Sequence, residues 1–376
     1  MKILYIANAR IPTEKAHGLQ IAQMAQAFTL AGHQVTLLVP RRKNKIKENV
    51  FDYYNLKVKF KIKYIPNYFS WLENINKKLY FKLQRILFYK HAFFVGLFSK
   101  ETIIYSREII ICFFLTIFGK TAVLEDHEPK KSKTFVYKLF LKVIKKKVVV
   151  PFKLAELYQE FGVKKETYIV VPNGVNLEEF EKIQAEHNIW SEQFGLNTEK
   201  VILYVGHLYR WKGVYTLINA APKLKYPVVL MGGTDEDQQA VKEYIKEKNI
   251  NNVYVPGFES HQQAIKCIKS ADVLILPNTA KEIRSAKYTT PIKLFEYMAS
   301  GVPIVASDLE SFQNYLKDQA NAILFSPDDE NDLAAKIKYI LDDSKVARDI
   351  ADKALKDVQE FSWQNRAQKI LEFIKS

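Results

Sequence analysis

Short, uninterrupted apolar runs recur along the chain, and longer stretches of mixed polarity separate them. Apolar runs of about four to eight residues without alternation are typical of strands buried on both faces of a parallel sheet. The stretches between them repeat apolar positions at helical spacing, which predicts strand-helix-strand units. We therefore expect the α/β class, with strands that include residues 2–7, 35–39, 201–205 and 271–276.

Longer amphipathic stretches predict helices in both halves of the chain. In the first half they cover residues 19–30, 109–118 and most of 71–98. In the second half they cover residues 236–248, 261–270, 329–342 and 345–359. A Pro-Asn-Gly-Val turn at 172–175 and the polar stretch after it indicate a domain boundary. The pattern thus predicts two Rossmann-like domains facing across a cleft, the first over 1–176 and the second over 177–360.

One segment, residues 288–307, carries start and stop signals for a single short helix. Thr289 or Thr290 can cap it, and Pro291 suits its first position. Gly301 suits the left-handed residue that ends a helix. Residues 302–306 then form a buried strand.

The start of this helix is a candidate ligand site. The free N–H groups at the start of this helix favour an anion such as a phosphate. Glu296 lies four residues after Ile292, on the same face, where its carboxylate can accept hydrogen bonds from two neighbouring hydroxyls of a sugar. Phosphate and ribose together suggest a nucleotide, although an ordinary helix with one solvated glutamate would show the same pattern.

Two further loops and one strand end could carry chemistry. Gly18 ends the loop after the first strand and lets the backbone approach a ligand, but the loop does not match the dinucleotide-binding pattern. His127 follows a strand and is flanked by carboxylates, as either a site residue or part of a surface loop. Arg210 and Lys212 follow the strand at 201–205, where they could neutralise a diphosphate or simply be solvated.

Charge is unevenly distributed along the chain. Residues 1–150 hold 28 Lys and Arg against 9 Asp and Glu, whereas residues 151–376 hold 28 against 32. The basic half, including the strongly basic residues 130–147, favours an anionic membrane surface or a nucleic acid as partner, or reflects a compositional bias alone. The helix at 71–98 mixes aromatic residues with lysines, which is typical of a membrane-interface helix or of a packed helix with a lysine face. No nucleic-acid-reading motif accompanies the charge.

Composition excludes several other classes. Cys112 and Cys267 lie in unrelated hydrophobic surroundings and form neither a disulfide framework nor a metal motif. The longest apolar run, residues 109–118, is too short to span a bilayer. The first residues lead directly into a strand, so we expect no signal peptide and a cytoplasmic location, at or near the inner face of the membrane.

Four segments resemble the glycosyltransferase family 4 group of GT-B enzymes, and the likeness extends over nearly the whole chain. They are PNGVN at 172–176, VGHLYRWKG at 205–213, SADVLILP at 270–277 and PIKLFEYMASGVPIVAS at 291–307. The segment AHGLQIAQMAQAF at 16–28 is similar to the donor-side loop and first helix of these proteins. The resemblance implies a retaining transfer of a sugar from a nucleotide sugar, without a metal or other cofactor.

The resemblance also implies residue roles. Glu296 would bind the ribose, while Lys212 and the backbone amides at 290–293 would bind the diphosphate. Gly18 would approach the donor phosphates, and His127 would lie near the transferred sugar. The first domain would bind the acceptor, and the last helix, 361–376, would return to that domain.

Two positions depart from the family pattern. Tyr288 stands where family members commonly carry a sugar-contacting glutamate, and Glu282 or Arg284 could substitute for it. His207 stands where an arginine is usual, and Arg210 could supply that charge.

We therefore expect a hexosyltransferase that uses a UDP- or GDP-sugar and a glycan or lipid-linked acceptor in surface polysaccharide synthesis, with no nucleic-acid partner. The alternatives are a GT-B epimerase or phosphorylase, and a non-catalytic module that binds nucleotide sugars.

Overall fold

The computed structural model describes residues 1–129, 135–186 and 188–376. Of the basic stretch 130–147, residues 130–134 therefore lie outside the described residues. The chain forms two compact units. The first comprises Met1–Asn173 and Trp363–Ser376, and the second comprises Gly174–Ser362. The boundary expected after residue 176 lies a few residues beyond the observed one.

The first unit is built on a parallel sheet. Its described strands are β1 (Lys2–Ile6), β2 (Gln34–Pro40), β3 (Lys61–Ile65), β4 (Ile103–Ser106), β5 (Ala122–Asp126), β6 (Lys146–Val149) and β7 (Tyr168–Val170). Their order is β3-β2-β1-β4-β5-β6-β7, and every pair is parallel. The edge position of β3 explains its lysines, because one side of an edge strand faces solvent.

Helices flank this sheet, and the C-terminal helix belongs to the same unit. The described helices are α1 (Ala16–Leu30), α2 (Val50–Tyr53), α3 (Lys77–Leu97), α4 (Ile109–Ile117), α5 (Phe135–Val143), α6 (Phe152–Glu160) and, from the chain's end, α16 (Trp363–Lys375). α16 packs on α1. It buries Trp363, Ala367, Ile370 and Leu371 on one face, which is the amphipathic pattern of a helix docked on a core.

The second unit repeats the architecture. Its described strands are β8 (Ile202–Val205), β9 (Val228–Met231), β10 (Val253–Gly257), β11 (Val273–Leu276), β12 (Ile304–Ser307) and β13 (Ile323–Phe325), in the order β10-β9-β8-β11-β12-β13. All are parallel. This is the doubly wound order of a Rossmann-like domain, in which ligands bind beyond the carboxyl ends of the strands.

The helices of the second unit connect these strands and continue after the last one. They are α7 (Leu177–Lys182), α8 (Ile189–Phe194), α9 (Val214–Ala220), α10 (Asp235–Glu247), α11 (His261–Lys269), α12 (Ile283–Lys287), α13 (Ile292–Met298), α14 (Glu330–Asp342) and α15 (Ser344–Asp357). α7 and α8 lie in the stretch that polarity alone assigned to a loop. Their buried Phe180, Ile189 and Trp190 join the core of this unit, so tertiary packing stabilises two helices whose local signal is weak.

Two local predictions need correction. β5 includes Glu125 and Asp126, so these carboxylates belong to the strand and not to the loop after it. Pro291 is the N-cap of α13 and not its first helical residue, and no side chain caps this helix. The predicted left-handed conformation of Gly301 is confirmed, with a φ of 74°.

Candidate functional site

Glycines bring the segments after β8 and β9 together at the carboxyl edge of the second sheet. Gly206 follows β8 with a φ of 141°, and a Cβ on it would lie 3.1 Å from Nζ of Lys293. A Cβ on Gly232 would lie 2.6 Å from the carbonyl oxygen of Gly206. A side chain on Gly232 would therefore displace backbone, and one on Gly206 would press on the Lys293 ammonium. The backbone at Gly206 therefore lies against the Lys293 ammonium, and the backbone at Gly232 packs against Gly206.

The loop after β8 is held by one more glycine. Gly213 has a φ of 73° and lies so close to β11 that a Cβ would fall 1.6 Å from the carbonyl oxygen of Pro277. It joins a short 3₁₀ turn, Arg210–Lys212, to α9. This close contact places Lys212 next to the segment that follows β11.

α13 is fixed to the end of β8 by a part-buried hydrogen bond. The backbone N–H of Val205 donates to the hydroxyl of Tyr297 at 2.8 Å. Leu294, Phe295 and Met298 are fully buried in the core on the same helix. The two charged residues of α13, Lys293 and Glu296, are only partly covered and are three positions apart, so they share its other face.

Lys293 carries an ammonium group with unusual surroundings. Its Nζ is buried and, among the described residues, has no hydrogen-bond partner. It lies 3.7 Å from the centroid of the Tyr204 ring. Burial and the neighbouring Lys212 hold the pKa of Lys293 well below its usual value. A buried cation without an anion is costly, which makes this group a strong candidate ligand contact.

Lys212 is the second cation of this edge. Its Nζ lies 4.0 Å from the centroid of the Trp211 ring. Burial, and to a smaller extent Arg284, lower the pKa of Lys212 to about 7. Arg284, an exposed residue of α12, stacks on the same indole at 5.2 Å. Three cationic side chains therefore act on one another here, and a bound anion would reduce their mutual repulsion.

Arg210 is directed elsewhere. It is exposed, and its guanidinium lies 4.7 Å from the centroid of the Tyr215 ring on α9. Besides Lys293, the cation that acts on Lys212 is therefore Arg284 on α12, which sequence reasoning considered only as a substitute for a missing glutamate. The role predicted for Arg210 stays a prediction.

The imidazole of His261 lies between the carboxylates of Glu296 and Glu179. Nδ1 of His261, the first residue of α11, lies 4.0 Å from Oε1 of Glu296, and Nε2 lies 3.6 Å from Oε2 of Glu179. Burial opposes the charge on His261, but the two carboxylates raise its pKa. The pKa of Glu296 is also raised, chiefly by burial. His261 thus links Glu296 to α7, a contact that the sequence did not suggest.

The remaining predicted donor-site residues lie around α13 and β8. Thr290 is buried, Pro291 caps α13, and Ile292 is buried at its first turn. The His207 ring stacks on Tyr209 with centroids 4.9 Å apart. Tyr288, half-buried, ends α12, while Glu282 is exposed at its start.

A second group of polar residues lies in the first unit, at the carboxyl ends of β1 and β5. A recess of about 240 Å³ is lined there by residues that include His17, Arg107, Glu108, Glu125 and His127. Burial and Arg107 lower the pKa of both His17 and His127 to about 4, so both rings are neutral at pH 7.

Glu125 fixes the orientation of the His127 ring. Its Oε1 accepts from the guanidinium of Arg366 at 2.7 Å and from Nε2 of His127 at 3.1 Å. Burial opposes the charge of Glu125, but Arg366 and His127 hold its pKa below the usual value. Because the carboxylate carries no proton, Nε2 of His127 must donate, which leaves Nδ1 unprotonated as an acceptor.

Sequence reasoning missed the buried pair of Arg366 and Glu125. Both side chains are at most 2% exposed, and they are brought together from α16 and β5. A signal was present, since Arg366 lies on the apolar face of α16, three residues after Trp363 and four before Ile370. A charge on such a face indicates a buried partner.

Packing within the first unit explains why position 18 is a glycine. It lies in the first turn of α1, and a Cβ on it would fall 2.2 Å from the hydroxyl of Tyr54. That hydroxyl accepts from the N–H of Thr13 at 2.7 Å and donates to its carbonyl at 2.9 Å. Gly18 is therefore required by the packing of the loop before α1, and its predicted contact with donor phosphates stays a prediction.

Neither a metal site nor a membrane span is evident in the part of the chain that the structure describes. It holds no group of three or more His, Cys, Asp or Glu side chains suited to a metal ion. Within the same residues, none of the helices combines the length and apolar character needed to cross a bilayer.

The chain is similar to glycosyltransferases in both sequence and fold. Residues 186–357, most of the second unit, match the model of the family described as glycosyl transferases group 1. Two parallel-sheet Rossmann-like domains are the fold of the GT-B glycosyltransferases. The solved Anabaena protein HepE, in complex with UDP, is similar over the whole of both chains, with a TM-score of 0.74 and 17% identity. The predicted GT-B fold is thus confirmed.

Sequence relatives agree with this class. An uncharacterized glycosyltransferase of Methanocaldococcus jannaschii is 27% identical over 58% of this chain and 57% of its own. The N,N'-diacetylbacillosaminyl-diphospho-undecaprenol alpha-1,3-N-acetylgalactosaminyltransferase of Campylobacter jejuni is 25% identical over 63% of this chain and 61% of its own. The chain spans about three fifths of the length of these curated relatives.

Proposed function

We propose that the chain is a retaining glycosyltransferase of family 4 that moves a hexose from a UDP- or GDP-sugar to a glycan or lipid-linked acceptor. The group 1 match in the second unit supports the reaction class. The names of relatives support the substrates: one acts on a diphospho-undecaprenol-linked sugar, and one solved structure holds UDP. A role in surface polysaccharide synthesis follows from such acceptors.

One observation carries the proposal. The buried ammonium of Lys293 has no hydrogen-bond partner among the described residues, and Lys212 adds a second cation of lowered pKa. Glu296 lies one turn of α13 beyond Lys293. A nucleoside diphosphate meets all three groups, since its phosphates are anionic and its ribose offers two neighbouring hydroxyls to a carboxylate.

The chemistry follows from that assignment. Transfer breaks the bond between the anomeric carbon and a phosphate oxygen, and joins the same carbon to the acceptor hydroxyl oxygen on the same face. The acceptor proton leaves with the diphosphate. Negative charge grows on the leaving phosphate, so Lys212 and Lys293 stabilise the transition state more than the bound donor. No metal enters this scheme.

The first unit supplies the acceptor side in this proposal. Neutral His127, with Nδ1 as acceptor, is suited to a sugar hydroxyl, as the family resemblance implies. The basic character of the first 150 residues supports contact with the anionic inner face of a membrane. Vesicles of phosphatidylcholine with phosphatidylglycerol test that part: binding at low salt that weakens as salt rises is expected, and its absence would remove the membrane from the proposal.

Binding and turnover of nucleotide sugars test the proposed reaction. A thermal-shift series with UDP-, GDP- and ADP-sugars should single out one base, since a ligand at one hundred times its Kd adds about 2.7 kcal/mol to the free energy of unfolding. Product analysis of the selected donor then separates transfer from epimerisation or phosphorolysis. An unfolding temperature that does not change with any of these donors would contradict the proposal.

One observation favours a second candidate, a non-catalytic module that binds nucleotide sugars. Tyr288 stands where the family commonly carries a glutamate that contacts the transferred sugar. Such a module would bind the selected donor but would neither transfer nor slowly hydrolyse its sugar. Prolonged incubation with the donor, followed by assay for free nucleoside diphosphate, distinguishes the two.

A further inference from the structure

A second recess of the first unit is cationic and has an apolar margin. It encloses about 730 Å³ and is lined by residues that include Arg41, Arg42, Lys43, Tyr64 and Asn67. Arg41 to Lys43 directly follow β2, and Tyr64 lies near the end of β3, so the recess opens at the carboxyl edge of the sheet. Among the side chains that the structure describes, no carboxylate forms an ion pair with any of the three cations.

The segment 68–75, which adjoins the lining residues Asn67 and Asn74 and is called the apolar margin here, exposes large apolar side chains. Tyr68 is 54% exposed, Trp71 62% and Ile75 73%. The segment that carries them is anchored, because Asn67 donates to the hydroxyl of buried Tyr80 on α3 at 2.9 Å. Exposed apolar groups on an anchored segment beside unpaired cations are typical of a surface that binds an amphiphile.

α3 continues the same character away from the recess. Its 21 residues contain no Asp or Glu, and its exposed positions alternate between cations such as Lys82 and Lys90 and apolar residues such as Ile86 and Phe94. A nucleic acid would meet the charge and stack on aromatic rings, but would leave aliphatic side chains such as Ile86 in water. An anionic lipid surface meets both, because lysine side chains can extend their ammonium groups to headgroups while apolar side chains enter the lipid.

The two recesses of the first unit are neighbours. Asn8 lines the recess that contains His127, Arg42 lines the cationic one, and the Arg42 guanidinium donates to Oδ1 of Asn8 at 2.5 Å. A molecule with a phosphate in the cationic recess could therefore place an attached sugar in the recess beside His127. Such a molecule has a sugar, a phosphate group and an apolar chain in that order.

We propose that Arg41, Arg42 and Lys43 bind the phosphate or diphosphate of a lipid-linked acceptor, and that Tyr68, Trp71 and Ile75 contact its apolar chain at the membrane surface. This inference rests on the proposed transferase function and specifies its acceptor. The glycan alternative, an acceptor without phosphate or lipid, would leave the cationic recess without a role.

Direct binding tests the site without reference to turnover. The probes are dodecyl phosphate below its micellar concentration, inorganic pyrophosphate and dodecyl maltoside, which separate the phosphate from the chain. We expect dodecyl phosphate to bind at least tenfold more tightly than either of the others. Equal affinity for dodecyl phosphate and pyrophosphate would show that the apolar margin does not contribute to binding. Equal affinity for the two dodecyl compounds would show that the cations do not contribute.

Variants then locate the site. Arg41→Gln with Lys43→Gln changes two exposed cations and should weaken dodecyl phosphate and pyrophosphate binding at least tenfold. Trp71→Ser with Ile75→Ser should weaken only dodecyl phosphate. The matched control, Lys59→Gln with Lys61→Gln, removes the same charge near the amino end of β3 and should change neither. Equal losses in the control would show a general charge effect and overturn the assignment.

The two proposals fail in different ways. If the variants change amphiphile binding as expected but the protein transfers no sugar, the assignment of the recess stands and the proposed reaction is wrong. If the protein transfers sugar to a water-soluble glycan, and Arg41→Gln/Lys43→Gln does not change KM for that acceptor, the proposed reaction stands. The assignment of the recess to a lipid-linked acceptor is then wrong. Thermal unfolding of each variant confirms that the folded protein is being compared.

Discussion

Nζ of Lys293 lies 3.7 Å from the centroid of the Tyr204 ring, directly over its face. A cation over an aromatic face gains about 0.5–2 kcal/mol, which is less than the hydration that a buried ammonium loses. Tyr204 itself is fully buried, and its hydroxyl donates to the carbonyl of His207 at 2.7 Å. The ring therefore holds the ammonium in place without neutralising it, and an anion is the missing stabilising partner.

Replacing Lys293 should separate stability from binding. Lys293→Met keeps the length of the side chain and removes the polar group, so we expect the free energy of unfolding to rise by about 1–3 kcal/mol. Affinity for the nucleotide sugar should fall at least tenfold. Urea unfolding and isothermal calorimetry measure the two effects.

An exposed lysine provides the control for this change. Lys338→Met, on α14, removes the same charge and should alter both quantities by less than about 0.5 kcal/mol. A Lys293→Met variant that is less stable and binds as wild type would mean that the ammonium is structural.

The ribose contact of Glu296 can be tested with the ligand as well as the protein. Glu296→Gln keeps the shape and removes the charge, and should weaken nucleoside diphosphate binding by about 10- to 100-fold, since hydrogen bonds to charged groups contribute about 1.5–3 kcal/mol. Wild type should discriminate against the 2′,3′-dideoxy analogue. The variant should have lost most of that discrimination, and an unchanged ratio of affinities would place the ribose elsewhere.

The position of α13 was largely predictable because its signals are local. Gly301 follows from helix stop rules, whereas Pro291 is the N-cap of α13 and not its first helical residue. The structure places Lys293 and Glu296 on one face of α13. The doubly wound order follows from apolar strands that alternate with amphipathic helices. Lys212 was found because it follows a strand.

Contacts between distant segments were not predictable. Arg366 contacts Glu125, which is 241 positions away in the sequence. His261 on α11 lies near Glu179 on α7 and Glu296 on α13. Nothing in the local sequence specifies such pairs, because they depend on which helices pack side by side. The stacking of Arg210 on Tyr215 was missed for the same reason: position after a strand does not determine where a long side chain is directed.

Nucleotide affinity should depend on pH above neutrality. The pKa of Lys212 is about 7 and that of Lys293 is well below its usual value, so a bound diphosphate, which favours the ammonium forms, raises both. Binding then takes up protons, and affinity falls as pH rises from about 7 towards the higher pKa of the bound state. Calorimetry of a nucleotide sugar in buffers of different ionisation enthalpy counts these protons at pH 8. Proton release, or the same uptake in Lys212→Met/Lys293→Met, would contradict the assignment.

Two glycines should differ in their tolerance of a side chain. Gly213→Ala places a Cβ 1.6 Å from the carbonyl oxygen of Pro277, so the loop must move and both stability and nucleotide binding should be lost. Gly301→Ala meets no atom within 4 Å and pays only the strain of a φ of 74°, about 1 kcal/mol. Urea unfolding compares them; similar losses in both would mean that the contact with Pro277 is relaxed easily.

The buried pair of Arg366 and Glu125 should dominate the stability of the first unit. Arg366→Met leaves a buried carboxylate without its guanidinium, and should lower the free energy of unfolding by about 3–5 kcal/mol. The pKa of Glu125, held low in the wild type, should then rise, so the difference between variant and wild type should shrink as pH falls from 7 to 4. The double variant Arg366→Met/Glu125→Gln should recover part of the loss at pH 7. Lys369→Met, exposed on the same helix, serves as the control, and a loss that does not change with pH would mean that Arg366 acts through packing alone.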